Sequence, residues 1–123
     1  MEKKSQKILV VDDEPDILLF LREILEDEGY NVETSADGAL IEQLQTYDLP
    51  DLILLDMLLS GKDGRELVKY LKVHKETSDI PVIMISAHPT ARESALAAGA
   101  NFFLAKPFDL ANLLDMIEQI VAT

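Results

Sequence analysis

The tightest constraint on this chain is an alternation. Five short runs, "KILVV", "YNVETS", "DLILLD", "IPVIMIS" and "NFFLA", are each followed by a stretch of helical periodicity. Three of them, Ile8–Val11, Leu52–Leu55 and Ile80–Ile85, are almost wholly apolar. A strand with one face in water alternates apolar and polar residues, whereas an unbroken apolar run suits a strand covered on both faces. The order βαβαβαβαβα therefore predicts an α/β fold with a doubly wound, five-stranded parallel sheet. Right-handed crossovers put helices on both faces.

The helical stretches carry their own punctuation. Pro15 suits a first turn, Gly29 a stop, and Ile17, Leu18, Leu21, Ile24 and Leu25 recur between them at helical spacing. A second helix is expected over Asp37–Tyr47, with Leu40, Ile41 and Leu44 inward, and a third over Arg65–His74, with Leu67, Val68 and Leu71 inward. "TARESALAAG" reads as a weak helix because its apolar side is mostly alanine. Asp109 is placed to cap a last helix that turns Leu110, Leu113, Leu114, Ile117 and Val121 inward. Phe102 and Phe103 fall on opposite faces of their strand, and Phe102 is expected in the core. With no linker or repeat, residues 1–123 read as one domain with a core of about 7–121, whose ends fray.

Charge and composition narrow the function. With 23 acidic against 11 basic residues, the net charge of −12 repels nucleic acid phosphates and suits a basic partner or a divalent cation. The absence of cysteine excludes disulfides and thiolate metal sites. The opening "MEKKSQK" is polar and the apolar run after it is too short for a signal peptide or a membrane span, so a cytoplasmic location is expected.

In an open α/β sheet, ligands bind beyond the carboxyl ends of the strands. Asp12 and Asp13 follow the first run, Asp56 closes the third, Ser86 closes the fourth, and Lys106 follows the fifth after one alanine. Parallel strands bring all five to one edge. Clustered carboxylates repel one another unless a cation intervenes, and Mg²⁺ takes carboxylate and phosphate oxygens. Lys106 and Ser86 then offer a charge and a hydroxyl to a phosphoryl group, and a carboxylate can act as its acceptor. Each piece alone has a plainer explanation. Acids at a helix start favour the helix dipole, and a lone Asp after a strand is ordinarily a turn residue. The combination of all five is what points to phosphoryl chemistry.

The segments "ILVVDDEPDI", "DLILLDMLLSGKDG", "PVIMISAH" and "GANFFLAKPF" together resemble the receiver domain of two-component response regulators, the CheY-like family. The resemblance runs from about Lys7 to Val121 and implies the (βα)5 flavodoxin-like fold. It implies that Asp56 accepts the phosphoryl group. Asp13, Asp56 and the backbone carbonyl of Leu58 would bind Mg²⁺ directly, and Asp12 through water. Lys106 would bridge to the phosphoryl group, Ser86 would move toward it, and Phe103 would follow as the switch aromatic. The Lys106–Pro107 bond would be cis. Leu58 and His88 would modulate hydrolysis, and apolar Leu58 implies a long-lived phosphorylated form. Where many relatives have proline this chain has Ser60, and where tyrosine is commoner it has Phe103. His88 and His74 otherwise read as surface residues, and Asp63–Gly64 as a turn and helix start without chemistry.

The implied function is a switch rather than a turnover enzyme. A histidine kinase or histidine phosphotransfer protein donates the group, and slow autodephosphorylation removes it. The Thr90–Phe108 face would meet a downstream protein target or, on phosphorylation, a second copy, with no direct contact to nucleic acid or membrane. Three alternatives compete. A pseudo-receiver would be a constitutive interaction module that is never phosphorylated. A flavodoxin-like enzyme would need a phosphate loop where this chain has acids. An Asp-nucleophile phosphatase would need a second acid near Asp56, followed here by Met57, Leu58 and Leu59. Ending at Thr123, the chain is expected to be a stand-alone regulator, a relay intermediate or a receiver from a larger protein.

Overall fold

The computed structural model describes residues 6–44, 48–59 and 61–121. Five parallel strands form the main sheet: β1 (Lys7–Val11), β2 (Asn31–Ser35), β3 (Leu52–Asp56), β6 (Val82–Ser86) and β7 (Phe102–Ala105). Their spatial order is β2-β1-β3-β6-β7, so the winding reverses between β1 and β3. A small antiparallel hairpin, β4 (Leu58–Leu59) with β5 (Lys62–Asp63), lies where a plain loop was expected. Ser60, where many relatives have proline, lies outside the described residues, as do residues 1–5 and 122–123 of the ends expected to fray.

The unbroken apolar strands are buried along their whole length, and the pleat sorts their side chains. Ile8, Val10, Leu52, Leu54, Ile83 and Ile85 face α1 (Pro15–Asp27) and α5 (Leu110–Val121). Leu9, Val11, Ile53, Leu55, Val82 and Met84 face α2 (Ala39–Glu42), α3 (Gly64–Val73) and α4 (Arg92–Ala98). Leu21 and Leu25 anchor α1, and Leu113 and Ile117 anchor α5. At about 1.5–3 kcal/mol for each fully buried aliphatic side chain, these two layers supply the main driving force for folding.

Local signals hold at most helix ends. Pro15 opens α1 and Gly29 follows its end at φ +100°. The Asp109 carboxylate accepts from the Ala111 N–H at 2.9 Å at the start of α5. Three expectations need correction. The second helix is described only as Ala39–Glu42, because Gln43 leaves helical geometry at φ −116°, and residues 45–47 lie outside the described residues. A single 3-10 turn, Pro89–Ala91, replaces the expected first turn of α4. Phe102 is 39% exposed rather than core, because β7 is the edge strand and its α5 face opens into a groove beside Met116 and Ile120.

Candidate functional site

The carboxyl ends of β1, β3, β6 and β7 form one edge, and backbone hydrogen bonds extend the sheet just past it. The Asp12 N–H donates to the Ser35 carbonyl at 3.1 Å, Met57 to Ile85 at 2.8 Å, and Lys106 to Ser86 at 2.8 Å. These bonds fix where each strand-end side chain starts. The Glu14 N–H, at the start of α1, donates to Asp12 Oδ1 at 2.9 Å and holds that carboxylate at the helix N-terminus.

Asp12, Asp13 and Asp56 each offer an oxygen, all within 4.8 Å of one another. Lys106 Nζ lies 3.4 Å from Asp12 Oδ2 and 3.5 Å from Asp56 Oδ1. Burial pushes the Asp56 carboxyl up from 3.8 to about 6, and the Asp12 charge adds to the rise while Lys106 opposes it. Lys106 shows the reverse balance. Burial disfavours its ammonium, but the Asp12 and Asp56 carboxylates outweigh burial and hold its pKa above the ordinary lysine value. At Asp56, burial and the Asp12 charge thus outweigh the ammonium beside it. That deficit of positive charge, met by hard oxygen donors, is what a divalent cation such as Mg²⁺ fits.

Ser86 is 2% exposed, and its Oγ accepts from the His88 N–H at 3.0 Å. Phe103 packs half-buried against the α3–α4 side of the core. Leu58 is 50% exposed on the hairpin that follows Asp56, and His88 is also exposed. The Lys106–Pro107 bond is cis. Every residue singled out at the strand ends therefore stands at this edge or beside it.

One residue has a larger part than its sequence reading allowed. The Gly64 N–H donates to the Met57 carbonyl at 2.7 Å, and a Cβ on Gly64 would lie 2.7 Å from the Asp56 carbonyl oxygen. Glycine there lets α3 begin directly against the backbone that carries Asp56. The Asp63–Gly64 dipeptide signalled the helix start, but no local pattern could show what it would touch.

The model of the response regulator receiver domain matches residues 8–118. The chain belongs to the response regulator receiver domain family. It is 45% identical to the nitrogen assimilation regulatory protein NtrX of Azorhizobium caulinodans over 97% of this chain, but spans only 27% of that protein. It is 36% identical to the sporulation initiation phosphotransferase F of Bacillus subtilis, covering 94% of this chain and 93% of that one. The response regulator TrrA from Thermotoga maritima, solved in complex with Mg²⁺-BeF, superposes with a TM-score of 0.82 at 29% identity, covering 94% of this chain and 98% of that one. Receiver domains of two-component systems interact with histidine kinases and effector targets. Among the described residues, no helix is long and apolar enough to cross a membrane.

Proposed function

We propose that this receiver domain is a phosphorylation switch with Asp56 as the acceptor. The observation that carries the reading is the packing of three carboxylate groups within 4.8 Å beside the Lys106 ammonium. Asp12, Asp13 and Asp56, with the Leu58 backbone carbonyl, would hold Mg²⁺. Bound there, the ion supplies positive charge to neutralise phosphoryl oxygens. The complex of TrrA with Mg²⁺-BeF supports that assignment.

The donor is a phosphohistidine of a histidine kinase or phosphotransfer protein. An Asp56 carboxylate oxygen attacks phosphorus in line, a P–O bond forms, and the P–N bond breaks with its electron pair going to the imidazole nitrogen. Lys106, whose ammonium lies 3.5 Å from Asp56 Oδ1, stabilises the transferred group by neutralising a phosphoryl oxygen on the side away from the ion. Asp56 must be ionised to attack; burial and Asp12 push its carboxyl up to about 6 in the metal-free site, and Mg²⁺ held there would favour the ionised form.

Ser86 Oγ then leaves the His88 N–H for a phosphoryl oxygen, and Phe103 repacks behind it. The surface from Thr90 to Phe108 changes shape and meets its protein target or a second copy. The short, alanine-rich α4 of that surface buries Ala95 and Ala98 and leaves Leu96 37% exposed, so little apolar area resists its movement. We place the domain in the cytoplasm, as one unit over residues 1–123, acting as a switch rather than a turnover enzyme.

The test is intact mass after incubation with Mg²⁺ and acetyl phosphate, with Asp56→Asn alongside. A single phosphoryl adduct that needs Mg²⁺ and vanishes in the variant is expected. An unmodified wild type that still binds Mg²⁺ refutes the switch and leaves a constitutive docking module.

A further inference from the structure

A polar bridge joins the hairpin and α3 to α4. Asp63 caps α3 by accepting from the Arg65 N–H at 2.9 Å. The same carboxylate grips the Arg65 guanidinium, with Nε at 3.0 and 3.2 Å from its two oxygens and Nη2 at 2.7 Å. A guanidinium forked in this way has little freedom left. Its remaining arm, Nη1, reaches Ser94 Oγ on α4 at 3.3 Å. Ser94 Oγ in turn donates to the Ala91 carbonyl at 3.1 Å, in the 3-10 turn that leads into α4.

The surroundings make this bridge matter. α4 has seven residues, and Ala95 and Ala98 are the ones it buries. Beside the bridge, Lys69, Ala97 and Ala98 help line a groove of about 280 Å³ between the two helices. Alanine packing resists sliding weakly, since little apolar area is lost when the helix shifts. The anchor of the bridge is also linked to the acidic edge: Asp63 pairs with Leu58 in the hairpin, two residues beyond Asp56.

We propose that Arg65 is a latch: through Ser94 it holds α4 in its resting position, and the strength of that hold sets how readily the switch surface moves. The regulatory half rests on the phosphorylation reading above, whereas the mechanical half does not. Arg65 lies at the surface and touches none of the strand-end residues, so it is a positioning residue and takes no part in phosphoryl transfer.

Hydrogen exchange by mass spectrometry on the unphosphorylated protein tests the mechanical half. The wild type, Arg65→Ala, Ser94→Ala and the double variant would be compared. Each single change is expected to speed exchange in the peptide spanning α4 by about two- to fivefold, the range open to a polar pair near the surface. The peptides of α1 and α5 should be unchanged, and the double variant should exceed neither single one. Unchanged α4 exchange in the single variants, or factors that multiply in the double, overturns the latch. The rate of modification by acetyl phosphate with Mg²⁺ tests the regulatory half, and should rise by a similar factor in each variant. Faster exchange without faster modification overturns that half. A wild type that takes no phosphoryl group sinks the function proposed above, and the exchange result still decides whether the bridge holds α4.

Discussion

Asp56 should make the metal-free domain less stable, and by an amount the structure sets. Asp56 is 8% exposed and faces Asp12, and its pKa rises from 3.8 to about 6 on folding. A raised acid pKa means that the folded state keeps a proton the unfolded chain has already lost. Between those two values, stability falls as pH rises. Above about 6 the loss is complete, and at about 1.4 kcal/mol per pKa unit it is about 3 kcal/mol. The attraction of Lys106 is already contained in that shift, so it is not subtracted again.

Asp56→Asn keeps the shape and removes the charge. In EDTA at pH 8, the variant should be more stable than the wild type by about 3 kcal/mol. With a urea slope of about 2 kcal/mol per molar, that moves the unfolding midpoint up by about 1.5 M. At pH 5 the wild type is mostly protonated when folded, and the gain should fall to about half. Saturating Mg²⁺ stabilises the wild type by mass action and should close or reverse the gap. Urea melts at both pH values, with and without the ion, read all three effects. A variant no more stable at pH 8, or a gain that does not change with pH, would show that Asp56 carries no electrostatic penalty.

Other changes test other parts of the site. Lys106→Met removes the cation beside Asp12 and Asp56, so the metal-free unfolding midpoint at pH 8 should fall and Mg²⁺ affinity, measured by calorimetry, should rise. Leu58→Asn puts an amide where an exposed leucine now stands, and should shorten the half-life of the phosphorylated form by several-fold, followed by intact mass; equal half-lives remove Leu58 from the hydrolysis argument. Gly64→Ala forces a Cβ to 2.7 Å from the Asp56 carbonyl oxygen, and should destabilise by about 1–3 kcal/mol while weakening Mg²⁺ binding. Lys72 donates to the Ser78 and Ile80 carbonyls and to Asn101 Oδ1, at 3.2, 2.8 and 3.1 Å, far from the acids. Lys72→Met should therefore lower the unfolding midpoint without altering Mg²⁺ affinity.

What the sequence could show, and what it could not, follows from which interactions are local. Strand burial was legible because unbroken runs such as Leu52–Leu55 have one physical explanation, and the strand-end acids followed from parallel pairing. Helix starts were legible where one side chain meets its own backbone, as with Asp109. Phe102 misled because composition cannot say which strand lies at the sheet edge; that depends on the strand order β2-β1-β3-β6-β7. The second helix misled because Leu40, Ile41 and Leu44 fit a helical spacing that Gln43 does not continue. Gly64 and Arg65 escaped for a third reason: their partners, the Asp56 carbonyl and Ser94, are distant in sequence and become neighbours only in the fold. The acidic edge could be read because its members are defined by strand ends, a feature that recurs along the chain. The bridge to α4 could not, because it is a single contact between two helices, and no periodicity announces it.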